Sequence, residues 1–300
     1  MSIELLTQPQ IRENVSLAGL TSIRVGGAAE YYIAPKSSLE LAASLDWSNQ
    51  HHLAVTVIGA GSNLLISDRG LSGLVICTRH LRGLDFEESS GKVTAAAGEP
   101  VARLAMQLAS RGWSGFEWAV GIPGTVGGLV VMNAGAQGGC AADCVQSVKL
   151  VSLTGETMVT YPQDLGFSYR TSALQDVSHL VTEAKFQFQT GGNPEAIALD
   201  TETKLKARHT AQPYHLPNCG SVFRNPTPQF AAKLIQDAGL KGYRIGNAQV
   251  SELHANFIIN LGNAQASDIL RLIQHIQAVV GDRYNITLET EVKMIGEFKT

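Results

Sequence analysis

Gly121-Ile122-Pro123-Gly124-Thr125-Val126-Gly127-Gly128, continued by Asn133-Ala134-Gly135-Ala136-Gln137-Gly138-Gly139, is the stretch on which the fold turns. Glycine gives up more backbone freedom on folding than any other residue, so this much of it inside an apolar run is costly to order. Two explanations meet that cost: a large flat ligand lying against bare backbone, or a glycine-lined packing surface between domains. A second glycine turn, Gly59-Ala60-Gly61-Ser62-Asn63-Leu64-Leu65, follows an apolar strand predicted at 55–58. Two glycines one residue apart let a turn present backbone N–H groups to an anion, and Ser62 and Asn63 add side-chain donors. A simple tight turn is the alternative, and Leu64 stands where a Rossmann fingerprint carries its third glycine. Together the two loops favour a dinucleotide cofactor.

Outward from these loops, short strands rich in β-branched and aromatic residues are predicted at 30–34, 54–58 and 73–77. Between the first two, Ser37 and Glu40 have capping-box spacing and Leu41 and Leu45 share one helical face, which suggests a βαβ unit. A second α+β region has a strand from residue 93, a helix at 100–111, the long glycine-rich segment as a loop, and strands at 147–153 and 180–188. A helix at 194–209 leads into Gln212-Pro213-Tyr214-His215-Leu216-Pro217, a plausible boundary. Beyond it, helices are predicted at 229–238 and, capped by Ser267, at 268–280, with a strand at 256–260 between them. The partly alternating tail at 287–295 reads as a strand that carries Glu291.

The chain has 300 residues with 44 % hydrophobic content, enough for two or three cores. With a formal charge of −3 and scattered Lys and Arg there is no basic face, so no nucleic-acid partner is expected. The opening Met1-Ser2-Ile3-Glu4-Leu5-Leu6 has no leader pattern, and no run approaches the ~18 apolar residues of a membrane span. A cytoplasmic protein without a membrane partner is expected. Cys77, Cys140, Cys144 and Cys219 form no Cys-x-x-Cys pair, which points to structural thiols and no metal site.

Three further residues carry candidate chemistry. Ser221, in Asn218-Cys219-Gly220-Ser221-Val222-Phe223-Arg224-Asn225-Pro226, reads as a turn or cap residue, a nucleophile or a proton donor; the Gly-x-Ser-x-Gly elbow is absent. Arg170, in Gly166-Phe167-Ser168-Tyr169-Arg170, and Glu291 read as ordinary surface charges when taken alone.

In combination these segments resemble the UDP-N-acetylenolpyruvoylglucosamine reductase family, in its compact, type II form. The resemblance runs from Asn14 and Thr21-Ser22-Ile23-Arg24-Val25-Gly26-Gly27 through both glycine loops, the Ser221 motif and Val250-Ser251-Glu252-Leu253-His254-Ala255-Asn256-Phe257 to Leu288-Glu289-Thr290-Glu291-Val292. It implies an α+β fold: a two-domain FAD-binding fold of the vanillyl-alcohol-oxidase/PCMH type plus a third α+β substrate-binding domain. The implied divisions are 1–80 with 286–300, 81–205, and 206–285. Cys140, where many relatives carry an acid, and Arg224, in place of a more usual lysine, depart from the pattern; arginine's flat fork places charge differently from lysine's point.

The resemblance implies FAD as cofactor and NADPH as co-substrate, with UDP-N-acetylglucosamine enolpyruvate reduced to UDP-N-acetylmuramate by a monomer. Cofactor contacts fall to Arg24, to Gly59, Gly61, Ser62, Asn63 and Leu64, to Gly121, Ile122, Pro123, Gly124, Thr125, Gly127 and Gly128, and to Asn133 and Ala134. Tyr169, Arg224, Asn225, Lys233 and His254 fall to the substrate. Arg170, Ser221 and Glu291 are the implied catalytic set. A guanidinium grips the substrate carboxylate, a protonated carboxyl of raised pKa donates to the developing enolate, and a serine hydroxyl protonates the carbon. Another flavin oxidoreductase, such as an alcohol or sugar oxidase, would share the cofactor loops but not this set. A nucleotide-sugar binding protein without turnover would take up no FAD.

Overall fold

In the computed structural model, which describes residues 9–175 and 178–298, the first helix forms where the Ser37 and Glu40 spacing places it. The opening hexapeptide and the outermost residues of the expected 1–80 and 286–300 segments lie outside the described residues. By density of contacts the chain divides into two units.

The first unit comprises residues 31–60 and 73–207 with the described part of 1–13. Helix α1, Ser38–Gln50, begins with the Ser37 hydroxyl accepting the Glu40 N–H (3.2 Å) while the Glu40 carboxylate accepts the Lys36 N–H (2.8 Å). Its Leu41 and Leu45 pack with Ile33, Leu74 and Ile76. Strand Val55–Ile58 pairs in parallel with Leu71–Cys77, in register Val55 to Leu74 through Ile58 to Cys77. The second strand is almost wholly buried and accordingly reads as a nearly unbroken apolar run rather than an alternating one.

A five-stranded antiparallel sheet follows, in the order Thr157–Thr160, Val145–Ser152, His179–Gln187, Lys92–Ala96, Leu84–Glu87. Helix α2, Val101–Ser110, turns Val101, Leu104, Ala105 and Leu108 inward at helical spacing. They join Val93, Trp113, Phe116 and Phe186 in one core.

The glycine-rich segment differs from the expected loop, because Val126–Val131 is a short helix, α3. Its glycines weaken it, but Val126, Leu129 and Val130 are buried in the core. The Gly127 N–H also donates to the Ala97 carbonyl (2.8 Å), so near that a β-carbon at Gly127 would stand 3.1 Å from the Ala97 methyl. Packing thus explains Gly127. Helix α4, Pro194–Ala211, matches the predicted span to within two residues and buries only Thr201.

The second unit comprises 14–30, 61–72 and the described part of 208–300. Its sheet runs Asn218–Ser221, Phe257–Asn260, Ala248–Val250, Arg244–Ile245, all antiparallel. Helices α5, Ala231–Asp237, and α6, Ala266–Tyr284, cover a core of Val222, Phe223, Ile235, Ile258, Ile269, Leu272 and Ile276.

Two expectations are corrected in this unit. Ser267 does not cap α6: Gln265 is the extended N-cap residue, with its N–H bonded to Asp268 (3.1 Å). The N–H groups of Ala266 and Ser267 both donate to the Asp68 carboxylate (2.7 and 2.9 Å), a cap supplied from about 200 residues away that no local pattern encodes. The terminal strand is only Lys293–Ile295, parallel to Leu64–Ile66. Glu291 precedes it, since the Glu291 and Val292 N–H groups share one acceptor, the Val222 carbonyl (2.8 and 3.3 Å), and a regular ladder cannot pass through that point.

Candidate active site

In the first unit the Gly59–Ala60 turn is organised by a residue that no motif singled out. Arg79 Nε donates to the Gly59 carbonyl (3.2 Å), Nη2 donates to the Ala60 carbonyl, and the Thr78 hydroxyl donates to Ile58 (3.3 Å). These carbonyl lone pairs are satisfied internally, which removes acceptors that would repel an anion at the turn.

The second loop approaches the same place. Thr125 is 4 % exposed, its hydroxyl has no hydrogen-bond partner among the described residues, and a β-carbon at Gly59 would lie 2.8 Å from that oxygen. A buried hydroxyl without a partner costs roughly 1–3 kcal/mol, so it marks either strain or a place for a polar ligand. The loop is stitched to the end of the 92–96 strand and the start of α2: the Val126 N–H donates to the Glu99 carbonyl (2.9 Å) and Val101 N–H to that of Gly124 (3.1 Å). Glu99 is itself buried and anchored by the Gly83 N–H (2.9 Å), with Arg103 and Arg82 at 3.5 and 3.9 Å.

Arg170 sits at φ 56°, the left-handed region that a residue with a β-carbon enters at a cost of about 1–3 kcal/mol. Ser168 and Thr171 close the turn by exchanging two backbone hydrogen bonds, both 3.1 Å. The guanidinium donates to the Gly135 carbonyl (2.8 Å) and lies 5.1 Å from the centre of the Tyr169 ring, which is exposed. Asn133 is also left-handed, at φ 39°, and buried. Its amide is engaged at both ends: Nδ2 donates to the Ser168 carbonyl (2.8 Å), and Oδ1 accepts the Ala142 N–H (3.0 Å). Ala134 accepts the Ala141 N–H through its carbonyl (3.0 Å). Cys140 opens that short turn, and burial followed by the nearby Asp143 raises its thiol above the ordinary value.

In the second unit Arg24 is exposed and left-handed, φ 58°, between buried Ile23 and Val25. Its neighbours are pinned by Asn260 Nδ2 donating to Ile23 (3.0 Å) and by the Thr21 hydroxyl donating to Val25 (2.9 Å). Gly61, φ 66°, comes so near Leu20 that a β-carbon would collide with the Leu20 carbonyl, and its own carbonyl accepts the Ser22 N–H (3.1 Å). Asn63 serves the catalytic candidates of its own unit: Nδ2 donates to the Glu291 carbonyl (3.1 Å), and its carbonyl accepts the Lys293 N–H (3.0 Å). Leu64 opens the strand that pairs with Lys293.

Ser221 ends its strand beside Gly220, φ 79°, and pairs with Phe257; the Ser62 carbonyl lies 4.0 Å from where Gly220 would carry a β-carbon. Among the described residues the Ser221 hydroxyl has no hydrogen bond, which is not how a capping serine behaves. The unit brings Ser221 and Glu291 together through Val222, which accepts the Glu291 N–H, and through the bridge of Phe223 to Thr290. Asn256 underpins both: 4 % exposed, it accepts the Phe223 N–H (2.9 Å) and donates to the Phe223 carbonyl (2.8 Å).

The residues expected at the substrate have local partners as well. The Arg224 N–H donates to Glu289 (2.9 Å) and Asn225 Oδ1 accepts the Ala231 N–H at the start of α5 (3.0 Å). Lys233 pairs with Asp237 (2.8 Å), whose hydrogen bond and charge raise the ammonium pKa. His254 Nδ1 accepts the Asn256 N–H (3.3 Å), and burial, followed by the charge of Lys241, lowers its pKa below 6.5. All four cysteines are free, and burial pushes Cys219 up to about 12. Among the described residues no three His, Cys, Asp or Glu side chains are grouped to hold a metal, and no helix is long and apolar enough to cross a membrane.

Comparison with known proteins places these arrangements in a family. The model of the UDP-N-acetylenolpyruvoylglucosamine reductase C-terminal domain matches residues 212–295, and that of an FAD binding domain matches residues 29–161. The chain is 54 % identical to UDP-N-acetylenolpyruvoylglucosamine reductase of Nostoc sp. over 98 % of its own length and 88 % of that protein. Against the reductase of Synechococcus elongatus it is 53 % identical over 96 % of each chain. The crystal structure of the reductase (MurB) from Thermus caldophilus aligns with a TM-score of 0.81 at 34 % identity, over 95 % of this chain and 99 % of that one. That of 6-hydroxy-D-nicotine oxidase from Arthrobacter nicotinovorans aligns with a TM-score of 0.50 at 16 % identity, over 97 % of this chain and 64 % of that one, a likeness of fold. The fold is accordingly the expected α+β class with the flavin-binding architecture of the vanillyl-alcohol-oxidase type. With more than half of its residues shared along nearly its whole length, the chain belongs to the UDP-N-acetylenolpyruvoylglucosamine reductase family, whose members are FAD-dependent oxidoreductases.

Proposed function

We propose that this protein reduces UDP-N-acetylglucosamine enolpyruvate to UDP-N-acetylmuramate, with NADPH as reductant and FAD as resident carrier, as a cytoplasmic monomer that supplies peptidoglycan precursors. The observation that carries it is the left-handed Arg170 turn, a strained cation on an internally braced loop, in a chain more than half identical to reductases named for that substrate.

FAD fits the residues present. The partnerless Thr125 hydroxyl beside Gly59, and the Gly59 and Ala60 carbonyls held by Arg79, suit a diphosphate. On this reading the turns at 59–64 and 121–128, with Arg24 and the 133–134 backbone, hold the cofactor. Held there, FAD would supply the hydride equivalent needed to reduce the methylene carbon of the substrate.

Negative charge then builds on the carbon that bears the carboxylate. Arg170 binds that carboxylate through two parallel N–H donors and strengthens its hold as the charge grows. Glu291 donates a hydrogen bond to the enolate oxygens, and the Ser221 hydroxyl gives its proton to the carbon, completing the lactyl ether. The free Ser221 hydroxyl and its backbone connection to Glu291 support this division of labour. Tyr169, Arg224, Asn225, Lys233 and His254 are assigned to the nucleotide-sugar portion. The expected division at 80, 205 and 285 is kept as part of this proposal; one hydrophobic cluster lies wholly within 84–205, whereas the other two join residues across the proposed boundaries.

The test is direct. Purified protein should be yellow, and should consume NADPH only when the enolpyruvyl substrate is present, eluting on a sizing column near its 32.0 kDa mass. A colourless protein that takes up no FAD, or substrate-independent transfer of electrons to oxygen, would contradict the proposal.

A further inference from the structure

Arg170 is held at both ends by one short segment, residues 131–135. Its guanidinium donates to the Gly135 carbonyl (2.8 Å). Its backbone is tied to the same segment by two side-chain amides. Asn133 reaches the Ser168 carbonyl (2.8 Å), and Gln175 Nε2 donates both to the Arg170 carbonyl (2.9 Å) and to that of Val131 (3.3 Å). The Ser172 hydroxyl adds a donation to Val131 (2.7 Å). A left-handed residue with a β-carbon persists only where its surroundings over-determine it, and here those surroundings are largely amide side chains.

We infer that Asn133 and Gln175 are positioning residues that aim the Arg170 guanidinium and so set discrimination for ligands bearing a carboxylate. This rests on the assignment of Arg170 to the substrate carboxylate. It gives Asn133 a task other than touching the cofactor, because the oxygen and the nitrogen of its amide are both engaged inside the protein. Gln175 has no place in any sequence motif; its role is visible only from the turn it closes.

The inference is tested on FAD-loaded protein by calorimetric titration with two ligands, UDP-N-acetylglucosamine enolpyruvate and UDP-N-acetylglucosamine, which lacks the carboxylate. Asn133→Gly removes the amide while glycine accepts φ 39° without strain, and Gln175→Met removes the donor at similar length. Each should weaken the carboxylate ligand about tenfold, the worth of one charge-assisted hydrogen bond at the Arg170 guanidinium, leaving UDP-N-acetylglucosamine affinity unchanged, and Gln175→Met should also leave FAD content unchanged. Equal weakening of both ligands, no weakening, or loss of FAD from Gln175→Met would overturn the inference. If Asn133→Gly does not fold, Gln175→Met carries the same test. Arg170→Ala is the control: if it too leaves the ratio of the two affinities unchanged, the carboxylate assignment itself fails. A changed ratio in Arg170→Ala with an unchanged one in the other two sinks the positioning role alone.

Discussion

The Arg170 turn and the Ser221–Glu291 connection achieve placement by opposite means. Arg170 is strained in its backbone, and amide and hydroxyl side chains from elsewhere in its unit hold it. Ser221 and Glu291 are held by backbone: a strand register, a shared carbonyl at Val222, and the bridge at Phe223. A cation that must be aimed has its supports in replaceable side chains, so its aim can be altered without unfolding the unit. The pair proposed to donate is built into the main chain, and the way to disturb it is to disturb the fold. Two side chains are exceptions: buried Asn256 grips both polar groups of Phe223, and Asn63 Nδ2 donates to the Glu291 carbonyl.

The largest effect expected is at Arg170 itself. Arg170→Met should lower kcat/KM by about 10²–10³, the usual loss on removing one preorganised electrostatic contact, with no loss of melting temperature. A lower melting temperature would mean that the turn supports folding rather than charge. Asn256→Ala should do the reverse and destabilise the protein by about 2–5 kcal/mol, because two buried backbone groups lose their partners. Urea unfolding measures it, and a cost below ~1 kcal/mol would break the contrast between the two regions.

Asp68→Ala should cost about 1 kcal/mol, the worth of a cap on two helical N–H groups, visible as a lower urea midpoint. The smallest effect concerns pH. Burial lowers the folded pKa of His254 below its ordinary 6.5, so the unfolded chain takes up that proton first. The stability it contributes is complete above about pH 6.5 and is lost as pH falls through the lower folded value. His254→Gln should flatten the slope of stability between pH 7 and 5, and an unchanged slope would deny the histidine a neutral folded form.

How much of this was legible in the sequence follows from the range of each interaction. The α1 capping box lies within four residues and the apolar stripe of α2 within eight, so spacing alone located both helices. Helix α3 was hidden because its two glycines argue against a helix until the core that buries Val126 and Val130 is known. The α6 cap was misplaced because its acceptor, Asp68, is distant in the chain. At the site, the glycine loops and Arg170 stood out by composition and family likeness. Arg79 and Gln175 did not, since each acts on backbone carbonyls and leaves no periodic mark, and Asn256 lies in a motif that does not reveal its grip on Phe223. For Asn63 and Asn133 the family resemblance implies cofactor contacts, and their amides also brace the Glu291 segment and the Arg170 turn, a task no motif encodes.

The central claim is that Ser221 delivers the proton while taking no part in loading the cofactor with electrons. Rapid mixing of Ser221→Ala separates the two halves. The account predicts bleaching of the flavin by NADPH at the normal rate and recolouring by UDP-N-acetylglucosamine enolpyruvate slowed by about 10²–10⁴. Recolouring at the normal rate would contradict it.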